Sequence, residues 1–328
     1  MQVAVTGSIA TDHLMRFPGL FSDSLVADKL DKVSLSFLVD DLEIRRGGVA
    51  ANIAFGMGCL GLRPMLVGAV GPDFADYRSW LDRHGVDTES VHVSEVHHTA
   101  RFICTTDQEQ NQIASFYPGA MSEARDIELF PVSERVGGLD LVVVGANDPD
   151  AMVRHTDECR FRGIPFAADP SQQLARMEGP EIRQLIEGAA YLFTNEYESA
   201  LIEHKTGWSS AQVLERVDVR VTTLGAQGAR VDSTGSESVL VSCPDEERRA
   251  DPTGVGDAFR AGFLAGVSWG LSHERSAQVG SMVATYVIET IGTQEYQLAQ
   301  QRFLERLERA YGPEAASDVA PHLACRQP

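Results

Sequence analysis

The chain has 328 residues, of which 43% are hydrophobic and 23% charged, and it carries a formal net charge of −19. This composition is typical of a globular protein, and the excess of acidic residues argues against a nucleic-acid or anionic-membrane partner. The five cysteines are scattered and include no C-x-x-C pair, so neither a disulfide framework nor a cysteine zinc site is expected. With no basic leader and no apolar run of about 18 residues, we expect a cytoplasmic protein.

The first part of the chain combines regular α/β elements with two segments of a different kind. The regular elements are a strand at 2–6, a helix at 49–60, a strand at 65–70 and a helix at 74–84. Residues 13–45 contain an alternating stretch at 33–39 that predicts a half-exposed strand. Residues 97–117 predict a hairpin with a polar tip. We expect these two segments to form a small sheet apart from the main one.

From residue 139 onward, apolar strands alternate regularly with helices. The predicted strands are 139–144, 165–168, 191–193, 219–223, 229–232 and 238–241. The predicted helices lie near 150–162, 180–187, 195–204, 210–217, 256–269, 272–290 and 298–311. Unbroken apolar strands separated by helices indicate a parallel sheet covered on both faces. The sequence therefore predicts one large α/β domain over residues 1–328, in three layers with a mostly parallel central sheet.

The strongest functional signal is the stretch Asp251-Pro-Thr-Gly-Val-Gly-Asp257, which leads into an apolar helix. Gly254 and Gly256 let the turn bring backbone N–H groups close to a ligand. The free N–H groups and positive dipole end of the helix then favour an anion, most often phosphate. Asp257 would repel that anion, so we infer that it acts as a general base on a hydroxyl. The alternative is an ordinary acidic helix start, which does not require two glycines, a threonine and two aspartates.

Polar side chains at other element ends are candidate ligands. Asn52, which follows Gly47 and Gly48 at a helix start, can bond a sugar hydroxyl; the alternative is a glycine hinge with an exposed amide. Asp12 follows the first strand and can accept hydrogen bonds from a cis-diol, or it can cap a turn. Asn195 and Glu198 lie one turn apart, which suits nucleotide phosphates and the waters of Mg²⁺. The same spacing also suits a capping box.

Three further motifs differ in strength. The loop 169–176 follows a strand, where open α/β sheets bind ligands, so Gln172 and Gln173 are candidate pocket residues. Residues 223–228 (Thr-Leu-Gly-Ala-Gln-Gly) end a strand and are by themselves a weak glycine loop. Residues 56–61 match the dinucleotide-binding motif G-x-G-x-x-G. They lie within and after a predicted helix instead of between a strand and a helix, so dinucleotide binding is not expected there.

Together these motifs resemble the ribokinase-like (PfkB) family of carbohydrate and nucleoside kinases. Residues 251–257 match its D-T-x-G-A-G-D signature, with Pro252 at the threonine position and Val255 at the alanine position. The G-G-x-x-x-N, N-x-x-E and T-x-G-x-x-G signatures also occur in the family's order. Within the family, the resemblance is closest to the adenosine kinases of actinobacteria. That resemblance is carried by residues 6–15, 115–125 and 169–176.

The resemblance implies a role for each matched position. Asp257 would be the catalytic base, and the anion hole would consist of Gly254, Val255 and Gly256. The nucleoside would be bound by Ser8, Asp12, Ser36, Gly48, Asn52, Phe102, Phe116, Gln172 and Gln173. ATP would lie on Asn195, Thr223, Gly225, Gly228 and Gly256. Glu198 would organise the water shell of Mg²⁺.

The predicted reaction is transfer of the γ-phosphoryl group of ATP to the 5′-hydroxyl of adenosine, giving AMP as in purine salvage. Another nucleoside, or a free sugar such as ribose or fructose, is the alternative acceptor. Phe102 and Phe116 favour a base, because flat rings stack on purines. The resemblance also implies Mg²⁺, a monovalent cation such as K⁺ near the anion hole, and a small sheet (13–45 and 97–117) acting as a lid. A homodimer through the lid would cover the exposed face of strand 33–39.

Overall fold

A computed structural model describes residues 1–24 and 36–323. The strands are β1 (Val3–Thr6), β2 (Ala10–Arg16), β3 (Asp41–Gly47), β4 (Met65–Val70), β5 (Val91–Val93), β6 (Ala100–Thr106), β7 (Gln112–Tyr117), β8 (Leu141–Val144), β9 (Phe166–Ala168), β10 (Ala189–Asn195), β11 (Val217–Thr223), β12 (Ala229–Ser233) and β13 (Val239–Val241). The α-helices are α1 (Phe21–Ser24), α2 (Val49–Cys59), α3 (Ala75–Arg83), α4 (Phe130–Val136), α5 (Pro149–Arg162), α6 (Gly179–Ile186), α7 (Glu196–Thr206), α8 (Ser210–Leu214), α9 (Val255–Ser268), α10 (His273–Ile288), α11 (Gln300–Tyr311) and α12 (Pro313–Leu323). Short 3₁₀ helices occur at Pro72–Phe74, Gly119–Asp126, Ser171–Ala175 and Gly225–Gln227.

The main sheet contains nine of the described strands in the order β13-β12-β11-β10-β9-β8-β1-β4-β5. The pairings from β5 through β11 are parallel, and β12 and β13 are antiparallel at one edge. Every residue of β1, β4 and β8 is buried, which explains why these strands are continuous apolar runs in the sequence. The prediction of a mostly parallel central sheet is confirmed.

Helices cover the two faces of this sheet with separate apolar cores. Val3 and Val5 of β1 belong to one core, which includes side chains of α2, α9 and α10. Ala4 between them belongs to the other core, with side chains of α5 and α6. Successive side chains of a strand point to opposite faces, so the two cores are the two sides of one sheet. The predicted three-layer arrangement follows from this alternation.

The second sheet has four of the described strands in the order β3-β2-β6-β7. It unites residues from the two segments that the sequence singled out. Asp12 pairs with Phe102, and Phe102 pairs with Phe116, so these three side chains share one face. His13 pairs with Ile44 of β3 and lies on the opposite face. One face therefore carries the predicted nucleoside ligands, while the other carries exposed apolar side chains.

The prediction of a strand at 33–39 is wrong for the residues that the structure describes. Residues 33–35 lie outside the described residues, and 36–39 are not a strand; the edge strand of the small sheet is β3, which starts at Asp41. Within 36–39, the Phe37 ring packs against Phe17 and Phe21 at centroid distances of 4.9 and 5.0 Å. Leu38 is 85% exposed.

Among the described α-helices and strands, six were not predicted from the sequence: β2, β3, β5, α1, α4 and α12. The clearest case is β2, whose residues are mostly half-buried and show no apolar–polar alternation. Its conformation is set by pairing with β3 and β6, which are distant in the chain. Within the described residues, no helix is long and apolar enough to cross a membrane.

Candidate active site

Helix α9 begins at the turn that the sequence identified as an anion site. Gly254 is the residue before the helix and has φ of 77°, a left-handed conformation that favours glycine. The first intrahelical bond runs from the Ala258 N–H to the Gly254 carbonyl at 2.9 Å. The N–H groups of the residues before Ala258, including Gly256, therefore precede the helical hydrogen-bond ladder, and no side chain caps this end. The Val255 N–H makes a long hydrogen bond to the Pro252 carbonyl at 3.4 Å. The helix dipole and the neighbouring amide of Gly256 remain suited to an anion.

A cavity of about 350 Å³ opens beside this helix start. Most of the predicted nucleoside and catalytic residues line it: Ser8, Asp12, Gly48, Asn52, Phe102, Phe116, Gln172, Gln173, Gly254 and Asp257. Strand β1 and strand β9 deliver their residues from the carboxyl edge of the main sheet, where open α/β folds bind ligands. The small sheet contributes the face that holds Asp12 and the two phenylalanines. Ser36 is exposed and is not among the described residues that line this cavity.

Asp257 is held in the cavity by an amide with a fixed orientation. Asn52 Nδ2 donates to Asp257 Oδ2 at 2.8 Å. Asn52 Oδ1 accepts from Thr293 Oγ1 at 3.0 Å and from Gln294 Nε2 at 2.9 Å. The single proton of the Thr293 hydroxyl can go either to this oxygen or to the Arg46 carbonyl at 2.9 Å. Because an ionised carboxylate only accepts and Gln294 donates to the amide oxygen, the nitrogen of Asn52 faces Asp257. Asn52 thus contacts the predicted base, a contact that its motif did not reveal.

Thr293 and Gln294 were missed by sequence reasoning. Both follow Gly292, just after the helix predicted at 272–290. The signal was weak, since two polar residues after a glycine are typical of any loop. Gln294 is 1% exposed and also donates to the Tyr77 hydroxyl at 2.6 Å. That hydroxyl donates in turn to the Gly47 carbonyl at 2.9 Å, at the end of β3.

Two carboxyl groups in the cavity have raised pKa values. Burial raises the pKa of Asp257 to about 6, although the hydrogen bond from Asn52 and the charge of Arg260 oppose the shift. Burial also raises the pKa of Asp12 to about 6, against the attraction of Arg45. A carboxyl group with a pKa of about 6 is mostly ionised at pH 7 and is more basic than an exposed aspartate. Asp257 can therefore accept a proton near neutral pH.

The start of α2 packs tightly against the turn after β1. Ser8 Oγ accepts a hydrogen bond from the Val49 N–H at 3.0 Å, so the serine supports the helix start. A Cβ atom on Gly48 would lie 2.6 Å from the Ser8 carbonyl oxygen, which excludes any larger residue. Gly48 is therefore required for the close approach of two backbone segments that both line the cavity.

The predicted nucleotide residues occupy neighbouring strand ends. Asn195 of β10 pairs with Thr223 of β11. Asn195 and Glu198 form a reciprocal capping box, with both hydrogen bonds at 2.8 Å. The structure therefore contains the capping box that was the alternative interpretation of this motif. None of these side chains is among the described residues lining the nucleoside cavity.

The glycine loop between β11 and β12 has two different glycines. A Cβ atom on Gly228 would lie 1.9 Å from the Val241 carbonyl oxygen, so this glycine is needed for packing. A Cβ atom on Gly225 would meet nothing within 4 Å. Gly225 thus faces open space beside the ends of β10 and β11, where its backbone can approach a nucleotide.

A magnesium ion is compatible with this region only as part of a nucleotide complex. Among the described residues, no group of three or more His, Cys, Asp or Glu side chains is arranged to hold a metal ion. Glu198 supplies one carboxylate, and one of its oxygens already accepts a hydrogen bond from the Asn195 backbone N–H. Mg²⁺ commonly binds through one or two carboxylates together with waters and substrate phosphates. Glu198 fits a contact to the water shell of such a complex.

Comparison with known proteins assigns the family. The pfkB family carbohydrate kinase model matches residues 8–300 of the chain. The chain belongs to this family. A nucleoside kinase of Methanothermobacter thermautotrophicus is 30% identical over 270 residues, covering 81% of this chain and 86% of the relative. A nucleoside kinase of Methanocaldococcus jannaschii is 28% identical over 284 residues, covering 86% and 92%.

Solved structures of nucleoside kinases confirm the ribokinase-like fold. The ligand-free nucleoside kinase of Burkholderia thailandensis superposes with a TM-score of 0.84 at 33% identity, covering 93% of this chain and 100% of that one. The same enzyme in complex with inosine gives a TM-score of 0.80 at 32% identity, covering 94% and 99%. These relatives carry the name nucleoside kinase, which is broader than the adenosine kinases that the sequence resembled.

Proposed function

We propose that this pfkB family member transfers the γ-phosphoryl group of ATP to the 5′-hydroxyl of adenosine. The observation that carries the proposal is the single cavity that unites three kinds of group. Asp12 offers a carboxylate to a diol, Phe102 and Phe116 offer aromatic faces to a base, and Asp257 lies beside the amides of an anion site. A free sugar would need the first and third of these groups but not the aromatic pair.

In the proposed reaction the protein mainly positions its substrates. Asp257 would accept the proton of the attacking hydroxyl as its oxygen bonds to the γ-phosphorus and ADP leaves. Backbone amides of Gly254, Val255 and Gly256 would stabilise the charge on the transferred phosphoryl oxygens. Asp12, Ser8, Gly48 and Asn52 would orient the ribose so that the hydroxyl faces the base.

The nucleotide would lie across the ends of β10 and β11. Asn195, Thr223 and Gly225 would contact ATP there, while Gly228 maintains the loop. Bound Mg²⁺ would neutralise phosphate charge, with Glu198 touching its water shell. The Burkholderia thailandensis nucleoside kinase has also been solved in complex with ADP-inosine. That structure supports separate sites for a nucleotide and a nucleoside on this fold.

A broader purine nucleoside kinase is the second candidate. The structure of the Burkholderia thailandensis relative contains inosine, a purine nucleoside without the 6-amino group of adenosine. Gln172 and Gln173 line the cavity, and amide side chains can donate to or accept from either base. Adenosine remains our first choice because the residue matches at 115–125 and 169–176 resemble adenosine kinases.

A coupled assay of ADP release over a panel of nucleosides and sugars tests the proposal. We expect adenosine to give the highest kcat/KM, with AMP as the product. Comparable turnover of inosine or guanosine would support the broader nucleoside kinase. Turnover of ribose or fructose with no turnover of nucleosides would overturn the proposal.

We also propose that the small sheet acts as a lid and that two chains associate through its outer face. Leu42 and Ile44 of the edge strand β3 are 54% and 59% exposed, and Ile113 of β7 is 47% exposed. Three exposed apolar side chains on one small sheet form a surface that a second copy can cover. This surface replaces the face of the strand 33–39 that the sequence suggested.

A further inference from the structure

Arg260 is a buried cation beside the anion site. It lies in the second turn of α9, within the buried stretch 258–266, and is 5% exposed. Every other residue of that stretch is alanine, glycine, phenylalanine or leucine. A helix that only filled the core would not need a charge at this position, because burying a charged group is costly unless it is paired.

The guanidinium of Arg260 contacts three segments of the chain. Its Nη1 donates to the Gly256 carbonyl at 3.1 Å, within the turn that forms the proposed anion hole. Its Nε lies 2.6 Å from Asp169 Oδ2, at the start of the loop that carries Gln172 and Gln173. Its Nη2 lies 3.9 Å from Glu198 Oε2, at the start of α7. These segments face the phosphoryl group, the nucleoside and the nucleotide in the proposed function.

Gly256 has a steric role in this arrangement. A Cβ atom at position 256 would lie 3.1 Å from Arg260 Nη1, which is tighter than ordinary van der Waals contact. The second glycine of the turn thus makes room for the guanidinium to cross the first turn of α9. The anion-hole backbone and the arginine fit together as one unit.

We propose that Arg260 is a positioning residue for phosphoryl transfer, holding the anion-hole turn, the 169–176 loop and the start of α7 in the geometry that the reaction requires. The inference rests on the proposed kinase function. Arginine suits this role because its planar guanidinium spreads its N–H groups in fixed directions. One side chain can therefore hydrogen bond the Gly256 carbonyl and also form ion pairs with two carboxylates, a geometry that the single ammonium of lysine does not provide.

The charge balance around Arg260 differs from that of an ordinary buried ion pair. Asp169, which is fully buried, and Glu198 both face the same guanidinium, and Asp257 lies one helical turn away. By contrast, Arg306 and Glu289 form a one-to-one pair with two hydrogen bonds, at 2.7 and 2.8 Å. An excess of buried carboxylates is unfavourable for folding, so a function for the cluster is the better explanation.

Arg260 also acts on the proposed base through its charge. Its attraction opposes the burial that raises the pKa of Asp257. The other titratable groups that influence Asp257 are Asp169 after β9 and Glu198 on α7, and the phenols of Tyr77 and Tyr296 also sense its charge. Removing Arg260 should therefore raise the pKa of the base and shift the active pH range upward.

The test compares Arg260→Met, Arg260→Lys and the control Arg306→Met in the full chain. Arg306 is 6% exposed and pairs with Glu289 at 2.7 Å, so its loss removes a similar buried ion pair. For Arg260→Met we expect a 10- to 100-fold lower kcat, roughly the effect of a misplaced reacting group, and an acid limb of kcat/KM moved to higher pH. Arg260→Lys should restore the acid limb but not kcat, because it keeps the charge and loses the fork.

Each outcome decides one question. An unchanged acid limb in Arg260→Met, or equal losses in Arg306→Met, would overturn the positioning role. If Arg260→Met does not fold, Arg260→Met/Asp169→Asn also removes the carboxylate nearest to the guanidinium and leaves only Glu198 of the two partners. For this double variant we still expect a lower kcat and an upward shift of the acid limb, because the lost attraction outweighs the lost repulsion. A wild-type chain that phosphorylates no nucleoside or sugar would instead contradict the proposed function itself.

Discussion

At the scale of single residues, Asp257, the proposed base, lies in an environment that is unfavourable for a charge. Its carboxyl group is buried, and its pKa is raised to about 6. Between the unfolded pKa of about 4 and this value, the folded protein holds a proton that the unfolded chain has released. Stability therefore falls as pH rises through that window, and the ionised base destabilises the fold above it.

The first prediction concerns Asp257→Asn. We expect kcat to fall by at least about 100-fold, because the amide cannot accept the proton of the attacking hydroxyl. The hydrogen bond from Asn52 can be kept through the new amide oxygen. Steady-state kinetics with adenosine and ATP measures the change, and near-normal turnover would remove the base assignment.

The second prediction concerns the stability of the same variant. Because asparagine carries no charge, Asp257→Asn should be more stable than wild type at pH 8, by on the order of 1–3 kcal/mol. The gain should disappear near pH 4, where the wild-type carboxyl group is protonated in the folded protein. Denaturant unfolding at both pH values gives the comparison. Equal stability at pH 8 would mean that Asp257 is not destabilised by burial.

The third prediction concerns the pH dependence of kcat/KM. Asp12 and Asp257 both have a pKa of about 6 and both must be ionised in the proposed mechanism. We expect kcat/KM to fall below pH 6 more steeply than tenfold per pH unit, since two protonations each remove activity. In Asp12→Asn the slope should approach tenfold per unit. A wild-type acid limb centred below pH 5 would contradict this.

At the scale of elements, the small sheet would select the acceptor in the proposed function. Phe102 and Phe116 lie on the paired strands β6 and β7, and Phe116 is 49% exposed in this structure. An exposed ring at the edge of a ligand cavity is available to stack on a planar base. The sheet thus supplies an aromatic wall that a sugar kinase does not require.

The fourth prediction concerns Phe102→Ala. Loss of one stacking face should raise KM for adenosine by roughly 5- to 150-fold, from about 1–3 kcal/mol per stacked base, with little change in KM for ATP. Phe161→Ala is the control, because Phe161 lies on α5 and is 88% exposed. An unchanged KM for adenosine in Phe102→Ala would argue against base stacking and in favour of a sugar acceptor.

Local patterns predicted the elements whose composition alone indicates their conformation. The apolar runs of β4, β8 and β11 and the glycine turn before α9 were found because their signals are contained in short windows. The small sheet was found only as two anomalous segments, since its register depends on pairings such as Asp12 with Phe102. The hydrogen bonds of Asn52 to Asp257 and Gln294 join residues more than 200 positions apart and have no local signal.

Arg260 is a charged residue whose position in the sequence already indicated a special role. A lone arginine within an otherwise apolar helix is visible in the sequence. Its partners Asp169 and Glu198 are each visible too, but only the folded sheet brings the ends of β9 and β10 together. Position in the sheet, not the residues themselves, makes the cluster recognisable.

At the scale of the whole molecule, net charge and exposed apolar surface act in opposite directions. A net charge of −19 disfavours close approach of two copies. The outer face of the small sheet offers Leu42, Ile44 and Ile113 as apolar contacts. Association should therefore strengthen with added salt, which screens the repulsion and leaves the apolar contact intact.

The fifth prediction concerns Ile44→Glu. A charge on the edge strand should convert the proposed dimer to a monomer, measured by size-exclusion chromatography with light scattering. Leu240→Glu is the control, since Leu240 is 69% exposed and lies on β13 of the main sheet. A wild-type chain that is monomeric at high salt would rule out this interface.

The hydrogen-bonded chain from Asp257 through Asn52, Gln294 and the Tyr77 hydroxyl ends at the Gly47 carbonyl, where the small sheet joins α2. A tilt of that sheet would pull on this carbonyl and disturb the alignment of the proton acceptor. The activity of Asp257 would then depend on the orientation of the small sheet. An enzyme without bound nucleoside would therefore hydrolyse little ATP. Tyr77→Phe cuts the coupling while keeping the ring, and a higher ratio of ATP hydrolysis to nucleoside phosphorylation in that variant would reveal it.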